Sequence, residues 1–267
     1  MPIKCPCCLY TRSWIIRREK RKCKSCRREF SIKIYPITGI RSIELDWQKC
    51  IHAFLRQRAS LQVASETGIG HCRAAVMVNL LRMVMYQDVP ALFTGPVELD
   101  ETYIGGQRKN KKLHIRRIRG KSGHGTEKLP IMAIFDRASK QIYTDVLPKK
   151  LNMEHIFKVM NQRVLQQAQI FTDGLKMYRG LKHHGWKHEY VDHDGGEYVR
   201  GQVHTNNVEG FFGILKRKLG CIGGMRRDRL YLFVAEIAWR FNHRNQSLDE
   251  QEQKLINLVH QIGGRIQ

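Results

Sequence analysis

The sequence predicts an α/β protein whose largest part is a mixed β-sheet flanked by helices, preceded by two small N-terminal segments. Residues 43–86 carry apolar side chains at helical spacing. From residue 96 the pattern changes to strand-like stretches at 96–100, 129–148 and 169–173, with a helical stretch at 152–168. A strand, a hairpin, a helix and another strand in this order are typical of a mixed sheet with helices packed against it.

Composition and charge narrow the classes of function. The chain has 267 residues, 42% of them hydrophobic, which is typical of a globular protein with one large domain or two to three smaller ones. The 47 Lys and Arg residues outnumber the 24 Asp and Glu residues, so the net charge is +23. Because so large an excess repels itself unless an anion binds, we expect nucleic acid as the partner, with an acidic membrane surface as the weaker alternative.

Targeting signals are lacking in the sequence pattern. The apolar runs are too short for a bilayer span, and the N-terminus has cysteines where a signal peptide has an apolar region. These features predict a cytoplasmic protein with no membrane partner. Because thiols stay reduced in that compartment, paired cysteines are expected to bind metal rather than to form disulfides.

Two cysteine pairs at the N-terminus predict a metal site. Each pair has the form Cys-x2-Cys, and 14 residues separate the pairs: Cys5 and Cys8, then Cys23 and Cys26. Four thiolates delivered by two such turns fit tetrahedral Zn²⁺. Cys7 is an alternative to Cys8, although a single residue separates it from Cys5, which is poor geometry for such a turn. We therefore predict a zinc ribbon over residues 1–36, in which one structural Zn²⁺ supplies folding energy and basic residues contact phosphate.

Residues 37–92 are predicted to form a helix-turn-helix domain that binds DNA. The stretch "IELDWQKCIHAFLRQ" at 43–57 has helical spacing, and two further helical stretches, at 61–67 and 71–87, are separated by "GIG" at 68–70. Two helices joined by a short glycine-containing turn are typical of this motif. The alternative is an ordinary helical hairpin in a protein core. The strong positive charge of the chain favours DNA binding.

Acidic residues end two of the predicted strands. Asp100 ends "PVELD" and Asp173 ends "IFTD", and ligand sites of α/β sheets collect at such carboxyl ends. Glu101 follows Asp100 at once, but consecutive strand residues face opposite sides, so only one of the two can point into a shared site. Glu98 has the same parity as Asp100 and could support it, although a solvated edge position is the stronger expectation.

The stretch "HTNNVEGFFGILKRKLG" at 204–220 predicts an amphipathic helix. Its apolar stripe has helical spacing: Val208, Phe211, Phe212, Leu215 and Leu219. Glu209 and Lys216 are seven residues apart, which is almost two complete turns, so they share the neighbouring flank. Gly210 and Gly213 lie between them and leave room for the close approach of a ligand. The alternative is a solvated Glu–Lys face.

The three acids together resemble the pattern of the DDE transposases and integrases. That pattern has an Asp on a first strand, an Asp on a later strand, a Glu separated from it by 35 residues, and a basic residue seven beyond the Glu. Four stretches also resemble the prokaryotic insertion-sequence transposases of the ISXO type. They are "CKSCRREFS", "VELDETYIGG", "FTDG" and "GGEYVRGQVHTNNVEGFFGILKRKLG". The resemblance runs from about residue 5 to about residue 245, and its motifs are specific in combination.

This resemblance implies a ribonuclease H-like catalytic domain over residues 93–267, with the C-terminal helices included. It implies two divalent ions, Mg²⁺ or Mn²⁺, bound by three carboxylates: Asp100, Asp173 and Glu209. It also implies that Asp100 is the ligand rather than Glu101, and that Lys216 is a fourth catalytic residue that holds a DNA phosphate. Carboxylates suit hard, oxygen-seeking ions, and two ions about 3.5–4 Å apart clamp the attacking and leaving oxygens of a phosphoryl transfer.

The implied activity is that of an insertion-sequence transposase. Such an enzyme binds the terminal inverted repeats of its element in double-stranded DNA, and then catalyses metal-dependent cleavage and strand transfer into target DNA. Because two ends must be paired, we expect a homo-oligomer, a dimer or higher, associated with the prokaryotic nucleoid. The alternatives are a nuclease of the same fold without strand transfer, and a catalytically silent DNA-binding regulator derived from a transposase. Retention of all four catalytic residues argues against the silent regulator.

Residues expected to contact DNA form two groups. Residues 107–121 hold eight Lys and Arg and no acid, and we expect this basic arm to follow the phosphate backbone rather than to be merely solvated. Its expected contacts are Arg108, Lys109, Lys111, Lys112, Arg116 and Arg117. The second group lies near Glu209 in the sequence: His204, Asn206, Lys216 and Arg217.

Two members of the second group have alternative roles, and a nearby loop raises a separate question. His204 is equally well explained as a structural histidine, and the resemblance keeps Asn206 as a helper at the metal site, because some relatives have Asn as third ligand. His193 and Asp194, beside Asp192, suggest a further metal site. We do not expect one, because the segment is loop-like and no second pair is spaced to complete it.

Overall fold

The computed structural model describes residues 5, 7–8, 10–16, 20–31, 40, 42–105, 113, 128–149, 152–192, 195–197, 199–222 and 226–262. Contacts between residues divide the chain into two compact units. One unit is Met1–Val84 together with Leu248–Gln267, and the other is Met85–Ser247.

The first unit begins with a small antiparallel sheet. Its strands are β1 (Ser13–Ile15), β2 (Lys20–Cys23) and β3 (Glu29–Ser31), in the order β1-β2-β3. Cys23 is the last residue of β2, and the Arg27 N–H donates to its carbonyl at 3.2 Å, which closes a tight turn. The second cysteine pair therefore lies on the hairpin between β2 and β3.

Three helices follow this sheet: α1 (Glu44–Leu55), α2 (Ser60–Thr67) and α3 (His71–Gln87). The turn between α2 and α3 begins at Gly68, whose φ of 72° lets its N–H bond to the Ala64 carbonyl at 3.0 Å. Glycine adopts this left-handed conformation without steric cost, which ends α2 sharply. The helices and their short turn match the predicted segments, whereas DNA binding by them remains a prediction.

The second unit is built on a five-stranded sheet in the order β6-β5-β4-β7-β8. The strands are β4 (Val97–Ile104), β5 (Leu129–Asp136), β6 (Ile142–Val146), β7 (Gln169–Asp173) and β8 (Lys187–Val191). Strands β4, β5 and β6 pair antiparallel, while β4, β7 and β8 pair parallel. This mixed sheet confirms the predicted α/β class.

Alternate residues of the strands supply two apolar cores, one on each face of the sheet. On one face, β4 and β5 residues such as Leu99 and Ile134 pack with α4 (Met153–Arg163) and with the 3₁₀ helix Lys176–His184. The predicted cap Asn152 accepts a hydrogen bond from the His155 N–H at 3.1 Å. Helix α4 ends before the predicted residue 168 because Val164 is extended and pairs with Phe93.

The other face is covered by α5 (Asn206–Gly220) and α6 (Leu230–Asn242). They pack on β5 residues such as Ile131, Ala133 and Phe135. The buried residues of α5 are those of the predicted apolar stripe: Val208, Phe211, Phe212, Leu215 and Leu219. Helix α5 therefore presents the opposite flank, which carries Glu209 and Lys216, to solvent.

The last helix, α7 (Leu248–Ile262), belongs to the first unit. It contacts α1 through His52, whose Nδ1 is 3.0 Å from Glu252 Oε2, and through His260, whose Nε2 is 3.1 Å from Glu44 Oε2. The sequence predicts one catalytic domain over residues 93–267, which includes this helix. The compact units differ from that division, because α7 belongs to the first unit. In other respects the three predicted domains remain a prediction. In the described part of the chain, no helix combines the length and the apolar character needed to cross a bilayer.

Candidate active site

Asp100 and Asp173 lie side by side on neighbouring parallel strands. In the register of β4 and β7, Leu99 lies opposite Thr172, and each aspartate is the next residue along its strand. Side chains at equivalent positions of parallel strands point to the same face. Leu99 belongs to the core on the α4 side, so both aspartates point to the face that carries α5.

The pKa of Asp100 is raised well above its usual range. Burial is the largest cause, followed by the charges of Asp173 and Glu101 and, more weakly, of Glu209. One hydrogen bond opposes these effects, from the Glu101 N–H to Asp100 Oδ1 at 2.7 Å. The carboxylates thus repel one another, and a cation between them would relieve the repulsion.

Glu209 lies in the first turn of α5 and completes the acidic group. Its Oε1 accepts a hydrogen bond from Thr205 Oγ1 at 2.9 Å, and its N–H donates to the Thr205 carbonyl at 3.0 Å. Glu209 is exposed, whereas Asp100 and Asp173 are half-buried. The acidic group therefore opens to solvent, where a large substrate can reach it.

The three acids offer only carboxylate oxygens, the donor type that hard divalent cations such as Mg²⁺ and Mn²⁺ prefer. Among the described residues, the cysteine group is the one set of possible ligands whose donor atoms all lie within 4.8 Å of one another. The acids are therefore candidate ligands for divalent metal by the chemistry of their side chains.

Glu101 is on the opposite face of the sheet. Its carboxylate accepts a hydrogen bond from the hydroxyl of Tyr178, a fully buried residue of the 3₁₀ helix. Burial raises the pKa of Glu101 to about 7, although the Tyr178 hydrogen bond acts in the other direction. This geometry favours Asp100 over Glu101 as the acid that faces Glu209.

The expectation that Glu98 is solvated is wrong. Its side chain is fully buried, and its Oε2 accepts hydrogen bonds from the N–H groups of Asn207 and Val208 at 2.9 and 3.2 Å. Its Oε1 is 2.7 Å from Arg137 Nε. The parity of Glu98 is visible in the sequence, but its partners, which follow β5 or begin α5, are not.

Arg137, which follows β5, was not identified from the sequence. Besides Glu98, it donates to the carbonyls of Gln202 and His204 at 2.7 and 2.9 Å. Its guanidinium also stacks on Phe171, 4.4 Å from the ring centre. Arg137 thus binds the segment that leads into α5.

The four DNA-contact candidates near Glu209 differ in their surroundings. Asn206, Lys216 and Arg217 are exposed on α5. A Cβ added at Gly210 or Gly213 would meet no described atom within 4 Å, so packing within the described protein does not require these glycines. His204 is different: its Nδ1 is 3.0 Å from an Arg137 guanidinium nitrogen, a contact that supports the structural alternative.

The basic arm and one loop pair lie outside the described residues. The predicted contacts concerned are Arg108, Lys109, Lys111, Lys112, Arg116 and Arg117. His193 and Asp194 are likewise outside the described residues. These remain sequence predictions.

The four N-terminal cysteines form one compact group. The Sγ atoms of Cys5 and Cys26 are 3.6 Å apart, those of Cys8 and Cys23 are 3.5 Å apart, and all four lie within 4.8 Å of one another. Tetrahedral zinc with bonds of about 2.3 Å would set its sulfurs about 3.8 Å apart. The group therefore fits one Zn²⁺. Cys7 is exposed and outside this group, which favours Cys8 as the ligand.

The surroundings of the four thiols differ. The pKa of Cys8 is lowered, chiefly by the N–H of Tyr10, with burial acting in the opposite direction. A backbone hydrogen bond at Arg28 lowers the pKa of Cys26, but burial and the other three cysteines together outweigh it and raise that pKa to about 12. Zinc binds the thiolate form, so metal binding would displace the proton of Cys26.

Residues 93–242 match the family model of the ISXO2-like transposase domain, which is more than half of the chain. The chain belongs to the ISXO2-like transposase family. A Halobacterium salinarum protein, described as an uncharacterized protein in transposable element ISH50, is 30% identical over 219 residues, 78% of this chain and 73% of that protein. An uncharacterized transposase-like protein of Haemophilus influenzae is 24% identical over 119 residues, 45% of this chain and 94% of that protein.

Two solved structures show limited similarity to the chain. The HTLV-2 integrase catalytic core domain in complex with magnesium has a TM-score of 0.33 and 11% identity, and the match covers 57% of this chain and 87% of that one. The simian T-cell lymphotropic virus intasome in complex with the PP2A regulatory subunit B56 gamma has a TM-score of 0.35 and 13% identity, over 72% and 67% of the two chains.

Family membership confirms the resemblance to ISXO-type insertion-sequence transposases. The sheet order β6-β5-β4-β7-β8, with parallel and antiparallel pairs, confirms the predicted mixed α/β architecture, whereas the ribonuclease H-like fold remains a prediction. Asp100, Asp173 and Glu209 all lie within the matched residues.

Proposed function

We propose that this chain is the transposase of an insertion sequence, a metal-dependent enzyme that cuts DNA at the ends of its element and joins those ends to target DNA. One observation carries the proposal. Asp173 ends β7, Asp100 lies within the adjacent parallel strand β4, and both point to the face that carries Glu209, in a chain of the ISXO2-like transposase family. Three carboxylates on one open face are a ligand set for divalent metal rather than a solvated edge.

Asp100, Asp173 and Glu209 would hold two divalent ions, Mg²⁺ or Mn²⁺. When bound, such ions activate the attacking oxygen and stabilise the charge on the leaving oxygen. The chain itself supplies fixed oxygen ligands. The two aspartates are set by the strand register, and Glu209 is oriented by the Thr205 hydroxyl at 2.9 Å.

Cleavage and joining would use the same residues. In cleavage, water attacks the phosphorus at the element's end and a 3′-hydroxyl leaves; in joining, that 3′-hydroxyl attacks a target phosphodiester, whose own 3′ oxygen leaves. Each step forms one P–O bond and breaks another, so no covalent bond between protein and DNA is required. Lys216 would hold a DNA phosphate beside the reacting one. The open space at Gly210 and Gly213 would let the DNA backbone approach the helix.

Double-stranded DNA is the proposed partner, both at the terminal inverted repeats and at the target. The net charge of +23 supports it, because neutralising phosphates releases counterions and drives binding. The ribbon with its single structural Zn²⁺, the α2–α3 pair and the basic arm are the proposed DNA contacts outside the metal site. Joining two ends in one complex requires a dimer or a higher oligomer.

The experiment incubates the full chain with duplex DNA carrying its element's terminal repeat and a supercoiled target plasmid, with and without Mg²⁺. The proposal expects joined products only with Mg²⁺, and none for Asp173→Ala. Glu189→Gln is the matched control, because Glu189 is an exposed acid on β8 and should leave joining unchanged. Cutting without joining would contradict the transposase in favour of a nuclease, and binding alone would favour a silent regulator.

Lys216 is tested in the same assay. Lys216→Ala should weaken end binding or joining, whereas Lys187→Ala, an exposed lysine of β8, should not. Unchanged activity of Lys216→Ala would remove Lys216 from the site.

A further inference from the structure

We propose that Glu98 and Arg137 are positioning residues that fix the start of α5 and so aim Glu209 at the two aspartates. This inference rests on the proposed function only in that Glu209 is taken to act in metal-dependent DNA cleavage and joining. Glu98 touches neither the proposed metal nor the DNA, so it is not a catalytic residue.

Glu98 caps α5 from a neighbouring strand. The first N–H groups of a helix have no partner within the helix, and a carboxylate there also interacts favourably with the helix dipole. Glu98 Oε2 accepts from the N–H groups of Asn207 and Val208 at 2.9 and 3.2 Å, and its Oε1 accepts from Asn207 Nδ2 at 2.6 Å. The two backbone donors immediately precede Glu209.

Because Glu98 accepts hydrogen bonds from these backbone N–H groups, the hydroxyl of Thr205 is available to bond Glu209. Thr205 is the residue at the N-cap position, where a threonine hydroxyl commonly accepts a backbone N–H. Within the described structure the Thr205 side chain makes no such bond; its hydroxyl instead donates to Glu209 Oε1 at 2.9 Å. Glu98 does the capping, and the hydroxyl of Thr205 orients the acid.

Arg137 offsets the free-energy cost of burying the Glu98 carboxylate. The Glu98 side chain is 0% exposed, and an unpaired charge in that position would be strongly unfavourable. Arg137 Nε is 2.7 Å from Glu98 Oε1, and the same guanidinium binds the carbonyls of Gln202 and His204. One side chain therefore binds both the cap and the segment that enters the helix.

The strand β4 thereby links the two halves of the acidic group. Glu98 and Asp100 are on the same face of β4, two residues apart, or about 7 Å along the strand. Any shift of α5 relative to Glu98 moves Glu209 relative to Asp100. Misplacement of a reacting group by about 1 Å can cost about 10²-fold in rate.

The test compares the wild-type chain with Glu98→Gln, which keeps the shape but puts an amide NH2 against backbone donors. Two readouts are measured: the Mn²⁺ concentration for half-maximal cleavage of end DNA, and Mn²⁺ binding to the protein by calorimetry. Loss of a supporting hydrogen bond around metal ligands commonly costs about 10–100-fold in metal affinity or activity, and we expect this range in both readouts. DNA binding without metal should stay at the wild-type level.

The matched control is Glu236→Gln. Glu236 Oε1 lies 3.0 Å from Arg240 Nε, and this ion pair on α6 is in the same unit. The variant therefore measures the general effect of removing an ion pair. The proposal would be overturned if Glu98→Gln needed the same Mn²⁺ concentration as the wild type. It would also be overturned if Glu236→Gln raised that concentration as much as Glu98→Gln does. If Glu98→Gln unfolds below the assay temperature, Arg137→Lys is read by the same criteria, because it keeps a positive charge but loses the forked contacts.

Calorimetry separates this proposal from the proposed function. Wild-type protein that binds Mn²⁺ but never cuts or joins DNA would contradict the transposase. The binding readout would still decide the positioning role: weaker Mn²⁺ binding by Glu98→Gln supports it, and unchanged binding overturns it.

Discussion

The hydroxyl of Tyr178 donates a hydrogen bond to the carboxylate of Glu101, on the face of the sheet opposite to Asp100. The adjacent acids of the motif "VELDETYIGG" therefore have different surroundings. Asp100 faces Asp173 and Glu209, whereas Glu101 is bound by a buried residue of the 3₁₀ helix that follows Asp173. Of these two neighbouring carboxylates, Asp100 is therefore the candidate metal ligand, and Glu101 makes a structural contact.

The first prediction separates these two acids. Asp100→Asn should lower DNA joining by about 10³-fold or more, because losing a charged ligand removes several kcal/mol of transition-state stabilisation. Glu101→Gln should retain most activity, since the amide oxygen still accepts the Tyr178 hydrogen bond. Joining rates of the two variants at saturating Mg²⁺ check this. Intact joining by Asp100→Asn together with loss in Glu101→Gln would show that the wrong acid was assigned.

Tyr178→Phe should lower stability without removing any proposed metal ligand. The change leaves the buried Glu101 carboxylate without this donor, which should reduce the free energy of unfolding by about 1–3 kcal/mol. Urea denaturation of the full chain measures the effect. Tyr231→Phe, at a tyrosine with 36% exposure, is the control and should change stability by no more than about 0.5 kcal/mol. Equal midpoints for all three proteins would be evidence against a stabilising Tyr178–Glu101 bond.

The histidine of β8 should make stability depend on pH. His188 is buried, its Nε2 is 2.8 Å from Thr172 Oγ1, and its pKa is lowered from 6.5 to about 4 by burial and, secondarily, by Lys182. Well above pH 6.5 the imidazole is neutral in both the folded and the unfolded state. As pH falls from 6.5 to 4 the unfolded chain binds a proton first, so stability is lost across this window, by up to about 3 kcal/mol.

Comparison with His188→Gln isolates this effect. Glu101, whose pKa is raised to about 7, acts in the opposite direction, because the folded state binds its proton first as pH falls. The difference in unfolding free energy between wild type and variant should therefore shrink from pH 7 to pH 4. His183→Gln, an exposed histidine of the 3₁₀ helix, serves as control. A difference independent of pH would contradict the assigned pKa shift of His188.

The cysteine group should bind one zinc ion per chain. Cys8→Ser should lose zinc and destabilise the ribbon, because a short sheet without its metal has little core. Cys7→Ser should keep zinc, since its Sγ is outside the group of four. Elemental analysis of purified protein gives the stoichiometry. Zinc retained in Cys8→Ser and lost in Cys7→Ser would make Cys7 the ligand.

Features that depend on short stretches could be predicted from the sequence. The stripe of α5 follows from helical spacing, the cysteine pairs from their separation, and Asp173 from its place at the end of an apolar strand. Each of these patterns is visible within a single motif. The prediction that Asp100 also ends its strand is wrong, because β4 continues to Ile104, which pairs with Leu129 of β5.

Contacts between distant parts of the chain could not be predicted. Glu98 meets Asn207 from 109 residues away, and Arg137 meets Gln202 from 65 residues away. A polar residue in an inward position of a strand indicates that a partner exists, but not which one. The contact between His52 and Glu252, 200 residues apart, likewise assigns α7 to the first unit, which helix periodicity alone could not.

The central claim is that Asp100, Asp173 and Glu209 bind the metal ions with which this chain joins DNA. The most direct measurement is joining of end DNA by Asp173→Cys in Mg²⁺ and in Mn²⁺. Thiolate is a poor ligand for Mg²⁺ and a better one for the softer Mn²⁺. The account predicts joined product in Mn²⁺ and none in Mg²⁺. Joining in Mg²⁺ at the wild-type rate would contradict it.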